Sequence, residues 1–285
     1  MGGRSPSTGK TMATHTATLP NVSVKTTSPG VITPALSLWQ REVVRFYRNR
    51  SRVVGVIASP LLFWIVIGSG FGNSFAGAGG SQNYLRFFYT GALTMIVLFT
   101  AIFTMMSVIE DRNEGFLLSV LVAPVSRSVI VLGKVLGGTT LAAMQGIMFL
   151  ILAPLIGVHF TMASLLLSIL IIFLIAFSLT ALGFIIAWPM DSTQAFHAII
   201  NLFLIPLWIL SGAMFSLQHA AFWIRSLMYI NPLTYGTEAL RSLLFPGTAA
   251  DFSLTTSLAV LIGFSVVMFG IAFAIANRRT TKPAA

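Results

Sequence analysis

The sequence predicts an all-α integral membrane protein, and three observations carry the prediction. Of its 285 residues, 56% are hydrophobic and only 8% are charged, whereas a soluble domain has about 25% charged residues. That leaves too little polar surface to cover a water-facing globule of this size. The apolar residues fall into runs long enough to cross a hydrocarbon core about 30 Å thick, which takes about 20 helical residues. The 17 Lys and Arg residues gather between those runs, as they do in the flanks of membrane helices. A net charge of +10 in so apolar a chain points to membrane flanks and lipid, not to nucleic acid. Cysteine is absent, which excludes disulfides, thiolate nucleophiles and Cys-bound metals.

Residues 1–35 are rich in Ser, Thr and Pro and lack the apolar core of a signal peptide, so they are expected to form a disordered cytoplasmic tail. Residues 36–52, "LSLWQREVVRFYRNRSR", form an amphipathic interfacial helix when wound at about 100° per residue. Arg41, Arg45, Arg48 and Arg52 make one stripe, expected to meet water and lipid phosphates. Leu36, Trp39, Val43, Phe46 and Tyr47 lie opposite, at headgroup depth. The first span is Val53–Phe71 and the second Phe88–Val108. From Val135 to Met190 no Asp, Glu, Lys or Arg occurs for 56 residues; as one helix that would be roughly 84 Å long. It must be two spans with a turn near "APLIGVHFTM", 153–162. A fifth span runs over 196–215 and a sixth over 252–276, leaving a cytoplasmic tail at 281–285. With the N-terminus inside, 14 Lys and Arg fall on the cytoplasmic side and only Arg86, Arg225 and Arg241 outside. The topology is six transmembrane helices with both termini cytoplasmic.

Two stretches imitate a phosphate-binding loop. "GGRSPSTGKT" carries Arg4 where Gly is required, and "LGKVLG" carries Val135 where Ser or Thr should follow the Lys. Neither binds a nucleotide by that route. The stretch "EDRNEGFLLSVLVAPVSR", 110–127, gathers Glu110, Asp111, Arg112 and Glu114 in a chain with seven carboxylates. Hard-ion sites need more oxygen ligands and an enclosing turn, so no metal is expected. Acid–base work would need a pocket that a short loop does not supply. Gly115 ends the charged cluster, an apolar helix follows from Phe116, and Pro124 stops it. Such an elbow suits a ridge presented to a partner, as well as an ordinary solvated loop.

"EDRNEGFLLSVLVAPVSRSVIVLGKVLGG" resembles the central signature of type-2 ATP-binding-cassette (ABC) exporter permeases. "NLFLIPLWILSGAMF" (201–215) is similar to their fifth span, and "NPLTYGTEALR" (231–241) to the segment before their last. With the six spans, the resemblance covers about residues 36–280, closest to daunorubicin-resistance and nodulation-factor export permeases. Ser216 stands where many relatives have Pro. The resemblance implies a six-span permease domain over 53–280 in a bacterial inner membrane. Its loop 109–128 would be a coupling helix docking on a separate ABC ATPase subunit. Glu110, Asp111, Arg112, Glu114, Gly115 and Phe116 would then lie at the docking surface, with Trp39, Arg41, Arg45 and Arg48 approaching it. Residues 217–247 would form an outer re-entrant segment, where Glu238 and Arg241 can pair as i, i+3 neighbours. It further implies a second permease copy, an outward-moving hydrophobic or amphipathic substrate, and ATP and Mg bound by the partner only.

The spans hold no ionisable residue away from their ends, against the pattern of ion-coupled transporters. Gln145 and Asn201 are expected as buried amides, in the pathway or bonded between helices. Gly133-x-x-x-Gly137 allows close helix approach. The alternative function is a stand-alone secondary transporter or channel, which an ion gradient would drive without an ATPase. An intramembrane enzyme using Ser211 or Ser178 with His197 is disfavoured: Ser211 and His197 lie about 21 Å apart along one helix.

Overall fold

The computed structural model describes residues 32–48, 50–72, 81–117, 126–247 and 251–277, with residues 2 and 120. The expected N-terminal tail up to residue 31, most of the apolar stretch 118–125 and the C-terminal tail lie outside the described residues. The described chain is helical, without strands. Its helices are α1 (Ile32–Arg48), α2 (Arg50–Gly72), α3 (Ser81–Thr104), α4 (Met106–Asn113) and α5 (Arg127–Leu150). They continue as α6 (Met162–Ala187), α7 (Thr193–Trp208), α8 (Phe222–Ile230), α9 (Pro232–Leu244) and α10 (Leu254–Asn277).

Five stretches among the described residues are long and apolar enough to cross a membrane: Tyr84–Asn113, Arg127–Ile156, Met162–Ala187, Thr193–Ala213 and Leu254–Asn277. Helix α2 has 23 residues, with a described apolar segment at Leu61–Gly70. The 56-residue uncharged run divides where expected, through a 3-10 turn at Ala153–Ile156 and Gly157 at φ +79°. Helix α6 then starts on a capping box between Thr161 and Ser164, which satisfies amides that the first turn leaves open. Ser192 caps α7 and Asn231 caps α9, with Pro232 at its first position.

Helix α3 is the axis of the array, packed by α2, α5, α6 and α9. In its most apolar 18-residue stretch 83% of residues are buried, against 33% for that of α7 and 17% for that of α10; those two therefore present broad outward faces. Tyr84–Asn113 is 30 residues long, about 45 Å at 1.5 Å per residue. That exceeds the hydrocarbon core by roughly 15 Å, so α4 projects beyond it as the charged extension of α3. The helix stops at Gly115, whose φ of +76° is a conformation that side-chain-bearing residues adopt only at a cost.

Helix α1 departs from expectation in extent and in orientation. It begins four residues early because Pro34 falls in the first turn, where its missing N–H costs nothing, and it ends at Arg48. Its buried stripe is Ala35, Leu38, Glu42 and Phe46, packed on α5. Gly133 and Gly137 make that approach possible: a Cβ would stand 2.7 Å from Leu38 Cβ at the first and 2.8 Å from Glu42 Cβ at the second. Leu36, Val44 and Tyr47 remain exposed. The helix therefore has three faces, toward protein, toward α4 and outward, where the sequence suggested two.

Candidate functional site

Where α1, α4 and α5 meet, seven charged side chains form one network, five at its centre and Glu110 and Glu114 at its rim. Helix α4 places Ser107 and Asp111 on a single face, as i, i+4 spacing requires. Two turns into α5, Lys134 is 1% exposed. Its Nζ donates to Glu42 Oε1 at 2.7 Å, Asp111 Oδ2 at 2.5 Å and Ser107 Oγ at 3.0 Å. Asp111, fully buried, also accepts a two-pronged contact from Arg41, Nη1 to Oδ2 at 2.8 Å and Nη2 to Oδ1 at 2.7 Å. Arg45 Nη1 adds a bond to Asp111 Oδ1 at 2.9 Å. At the rim, Arg45 Nη2 reaches Glu110 at 3.1 Å and Glu114 at 3.4 Å. The Phe116 ring closes the network, its centroid 3.7 Å from the Arg41 guanidinium carbon.

Burying charge is costly unless every charge is paired and hydrogen-bonded, and here each buried ion has opposite-sign contacts. The hydrogen bond to Asp111 raises the Arg41 guanidinium above its ordinary pKa, against desolvation, so Arg41 stays charged. On its other side the α4 elbow is tied to the α6–α7 turn. Arg112 donates to the carbonyls of Trp188 and Met190 and to Asp191 Oδ1, the last at 3.0 Å. Asn113 Nδ2 donates to the Asp191 carbonyl at 3.3 Å. The elbow is thus clamped between α1 and α5 on one flank and the start of α7 on the other. Among the described residues no three His, Asp or Glu side chains gather into a metal site.

The structure redistributes the residues expected at the docking surface. Glu114 and Gly115 are exposed and Glu110 and Phe116 are half-buried. Asp111 is not on a surface: three cations draw it into the interior. Arg112 is partly exposed but committed to backbone carbonyls. Arg41 and Arg45, expected to meet water and lipid phosphate, turn onto Asp111 instead, because a buried carboxylate outcompetes solvent for them. Arg48 alone of the three described arginines on α1 is exposed. Trp39 donates its Nε1–H to Thr140 Oγ1 on α5 at 2.9 Å.

The two amides part company. Gln145 Oε1 accepts from Thr100 Oγ1 at 2.6 Å, a buried α3–α5 contact. Asn201, expected buried, is exposed on α7 beside Leu202 and Phe203, because α7 packs at the edge of the array with little of its surface covered. Glu238 and Arg241 pair as spaced, and both are buried. Arg241 Nη2 also donates to the Gly212 carbonyl at 2.7 Å, and its guanidinium stacks 3.9 Å from the Phe87 centroid. Ser211 and Ser178 each bond a carbonyl of their own helix, and His197 lies against Phe103.

Glu42 and Lys134 escaped the sequence reading as site residues. The available signal was weak: Glu42 is the one carboxylate on α1, and Lys134 interrupts "VIVLGKVLG". Each passes for an ordinary flank charge until α1 is laid on α5.

The fold and this clamp define a multi-pass, all-α membrane protein whose buried charge is concentrated at one end. The ABC-2 type transporter family matches residues 34–245, and the chain belongs to that family. It is 27% identical to ycf38 of Cyanophora paradoxa, which is named as a transport permease, over 81% of this chain and 85% of that one. It is 23% identical to nodulation protein J of Rhizobium leguminosarum bv. trifolii, over 90% of this chain and 98% of that one. The protein is accordingly a multi-pass inner-membrane permease of an ABC transporter, in a family that normally pairs with an ATPase subunit.

Proposed function

We propose that this chain is the non-catalytic permease subunit of an ABC exporter with six spans and both termini cytoplasmic. It moves a hydrophobic or amphipathic substrate, of drug, lipid or glycolipid type, outward. ATP and Mg are bound and ATP is hydrolysed by a separate subunit. The observation that carries the reading is the clamped elbow: Glu114 and Gly115 project while α4 behind them is fixed to α1, α5 and the α6–α7 turn. A push on that projection cannot be absorbed locally, because ion pairs and carbonyl bonds tie it to the starts of α5 and α7. ATP-driven closure of the partner would shift the permease between two states by favouring one of them. The outward direction rests on the resemblance to drug-resistance and nodulation-factor export permeases.

The test is co-purification with the cognate ATPase. Glu114→Arg, on an exposed residue, is expected to abolish ATPase retention and transport while thermal stability in detergent is kept. Unchanged retention and transport would remove the docking assignment.

A second permease copy is supported by α7. Its outward face puts the Asn201 amide among Leu202, Phe203 and Ile205, and an amide facing hydrocarbon lacks hydrogen-bond partners. The chain has no cysteine, so Asn201→Cys gives a unique thiol. A short bis-maleimide is expected to link two copies through it in membranes. Exclusively monomeric product would place the copy interface elsewhere.

A further inference from the structure

At the end of the array opposite the charge network, the start of α3, the α5–α6 turn and the end of α9 line a half-open cavity of about 740 Å³. Its wall carries Arg86, His159 and Arg241 beside Phe87, Leu244 and Phe245, with no carboxylate among the described residues that line it. We infer that this cavity binds a phosphate oxyanion, supplied by the headgroup of an anionic membrane phospholipid.

Three features carry the inference. The Arg86 guanidinium is fixed in place: its Nε donates to the Ile156 carbonyl at 2.9 Å. Its Nη2 lies where a Cβ on Gly157 would come within 2.7 Å, so the terminal nitrogen packs over the bare Gly157 backbone. Among the described residues no carboxylate pairs with Arg86, and both terminal nitrogens remain to donate. A planar fork held this way is suited to two oxygens of one phosphate. The second feature is Arg241, which is 5% exposed. Its Nη1 and Nη2 are taken by Glu238 and the Gly212 carbonyl, yet its buried Nε–H has no acceptor among the described residues. A buried donor without an acceptor is uncommon in a folded protein, and an anion oxygen in the cavity would supply one. Glu238 offsets the Arg241 charge and Asp251 is a second carboxylate acting on it, so the positive charge that the cavity offers an anion is that of Arg86, with His159 adding a ring N–H.

The third feature is setting. Arg86 lies in the first two turns of α3, at the end of that apolar span remote from the charged α4, where a lipid headgroup would stand. The apolar wall continues from the charged groups, as an amphiphile requires and a free ion does not. A phospholipid presents a phosphate and an acyl chain in that order. This inference is independent of the proposed ATPase coupling and stands or falls without it.

The experiment uses the full chain, purified in detergent and stripped of lipid, and titrated with phosphatidylglycerol under native mass spectrometry. Arg86→Gln is expected to weaken binding on the order of tenfold, the loss of one charge-assisted contact. Arg225→Gln is the matched control. It removes the same charge from a residue outside the cavity, bonded to the Gln218 carbonyl, and is expected to change binding less than twofold. Equal behaviour of the two variants overturns the site. Glycerol 1-phosphate alone is the second arm. Binding of the lipid only assigns the phosphate to the membrane, as inferred. Equal binding of glycerol 1-phosphate, lost in Arg86→Gln, keeps the phosphate site and makes a soluble phosphate its source. Arg86 is exposed, so its variant is expected to fold, and a melting temperature within about 2 °C of the wild type checks this.

Discussion

At one end of the α3–α4 rod, Lys134, Glu42, Asp111, Arg41 and Arg45 bind the distant α1 to α4 and α5. At the other end, Glu238 and Arg241 are neighbours on one helix and close on each other, the Gly212 carbonyl and the Phe87 ring. Both groups are buried, and in both each charge is tolerated because an opposite charge lies against it. They differ in what they connect. The first has an exposed rim at Glu114 and a buried centre at Lys134, so displacement of the rim reaches α1 and α5. The second fixes α9 to the turn after α7 and has no comparable projecting end. A network that spans elements can transmit motion, whereas a pair within one helix anchors it.

The comparison can be broken most forcefully at its centre. Lys134→Met leaves the Glu42 and Asp111 carboxylates buried without their shared cation. It is expected to cost about 3–5 kcal/mol, read as loss of folded protein or a large drop in melting temperature in detergent. Adding Glu42→Gln should restore part of that loss, since Asp111 keeps both arginines. A Lys134→Met protein as stable as wild type would mean that the network is not what holds α1 to α5.

Arg241→Met is the corresponding cut at the other end. The expected cost is about 3 kcal/mol, toward the low side because Glu238 can take up a proton once its cation is gone. Here Arg241→Met with Glu238→Gln should recover most of the stability, since the ion pair is self-contained. If the double variant were as unstable as the single one, the contacts to Gly212 and Phe87 would outweigh the ion pair, and the contrast between the two ends would weaken.

The smallest effect belongs to the rim. Glu114 is 60% exposed and contacts Arg45 at 3.4 Å, so Glu114→Gln should change stability by about 0.5 kcal/mol or less, diminishing with added salt. Its effect on ATPase-coupled transport is expected to exceed its effect on melting temperature. A variant that loses stability without losing transport would reverse that order.

Most of the helices were legible because their causes are one-dimensional. An apolar run of fixed length, or a glycine or proline that ends a helix, acts on its neighbours along the chain. The α5–α6 turn and the pairing of Glu238 with Arg241 belong to this class. The faces of α1 do not. Its arginine stripe was visible from spacing, but Arg41 and Arg45 point at α4 rather than at lipid because Asp111 lies there, 66 to 70 residues away in sequence. Asn201 likewise sits in an apolar span whose sequence does not reveal which side its neighbours cover.

The sequence by itself determined a membrane-embedded helical chain, its turns, its family and the concentration of charge at 110–114, since hydropathy and local spacing are properties of the chain alone. Only the tertiary structure decided that Asp111 is an internal anchor, that Glu42 and Lys134 complete it, and that Arg86 comes to stand beside Arg241. Electrostatic pairing in a low-dielectric interior depends on distances of 2.5–3.5 Å between groups, and those distances are set by how helices pack.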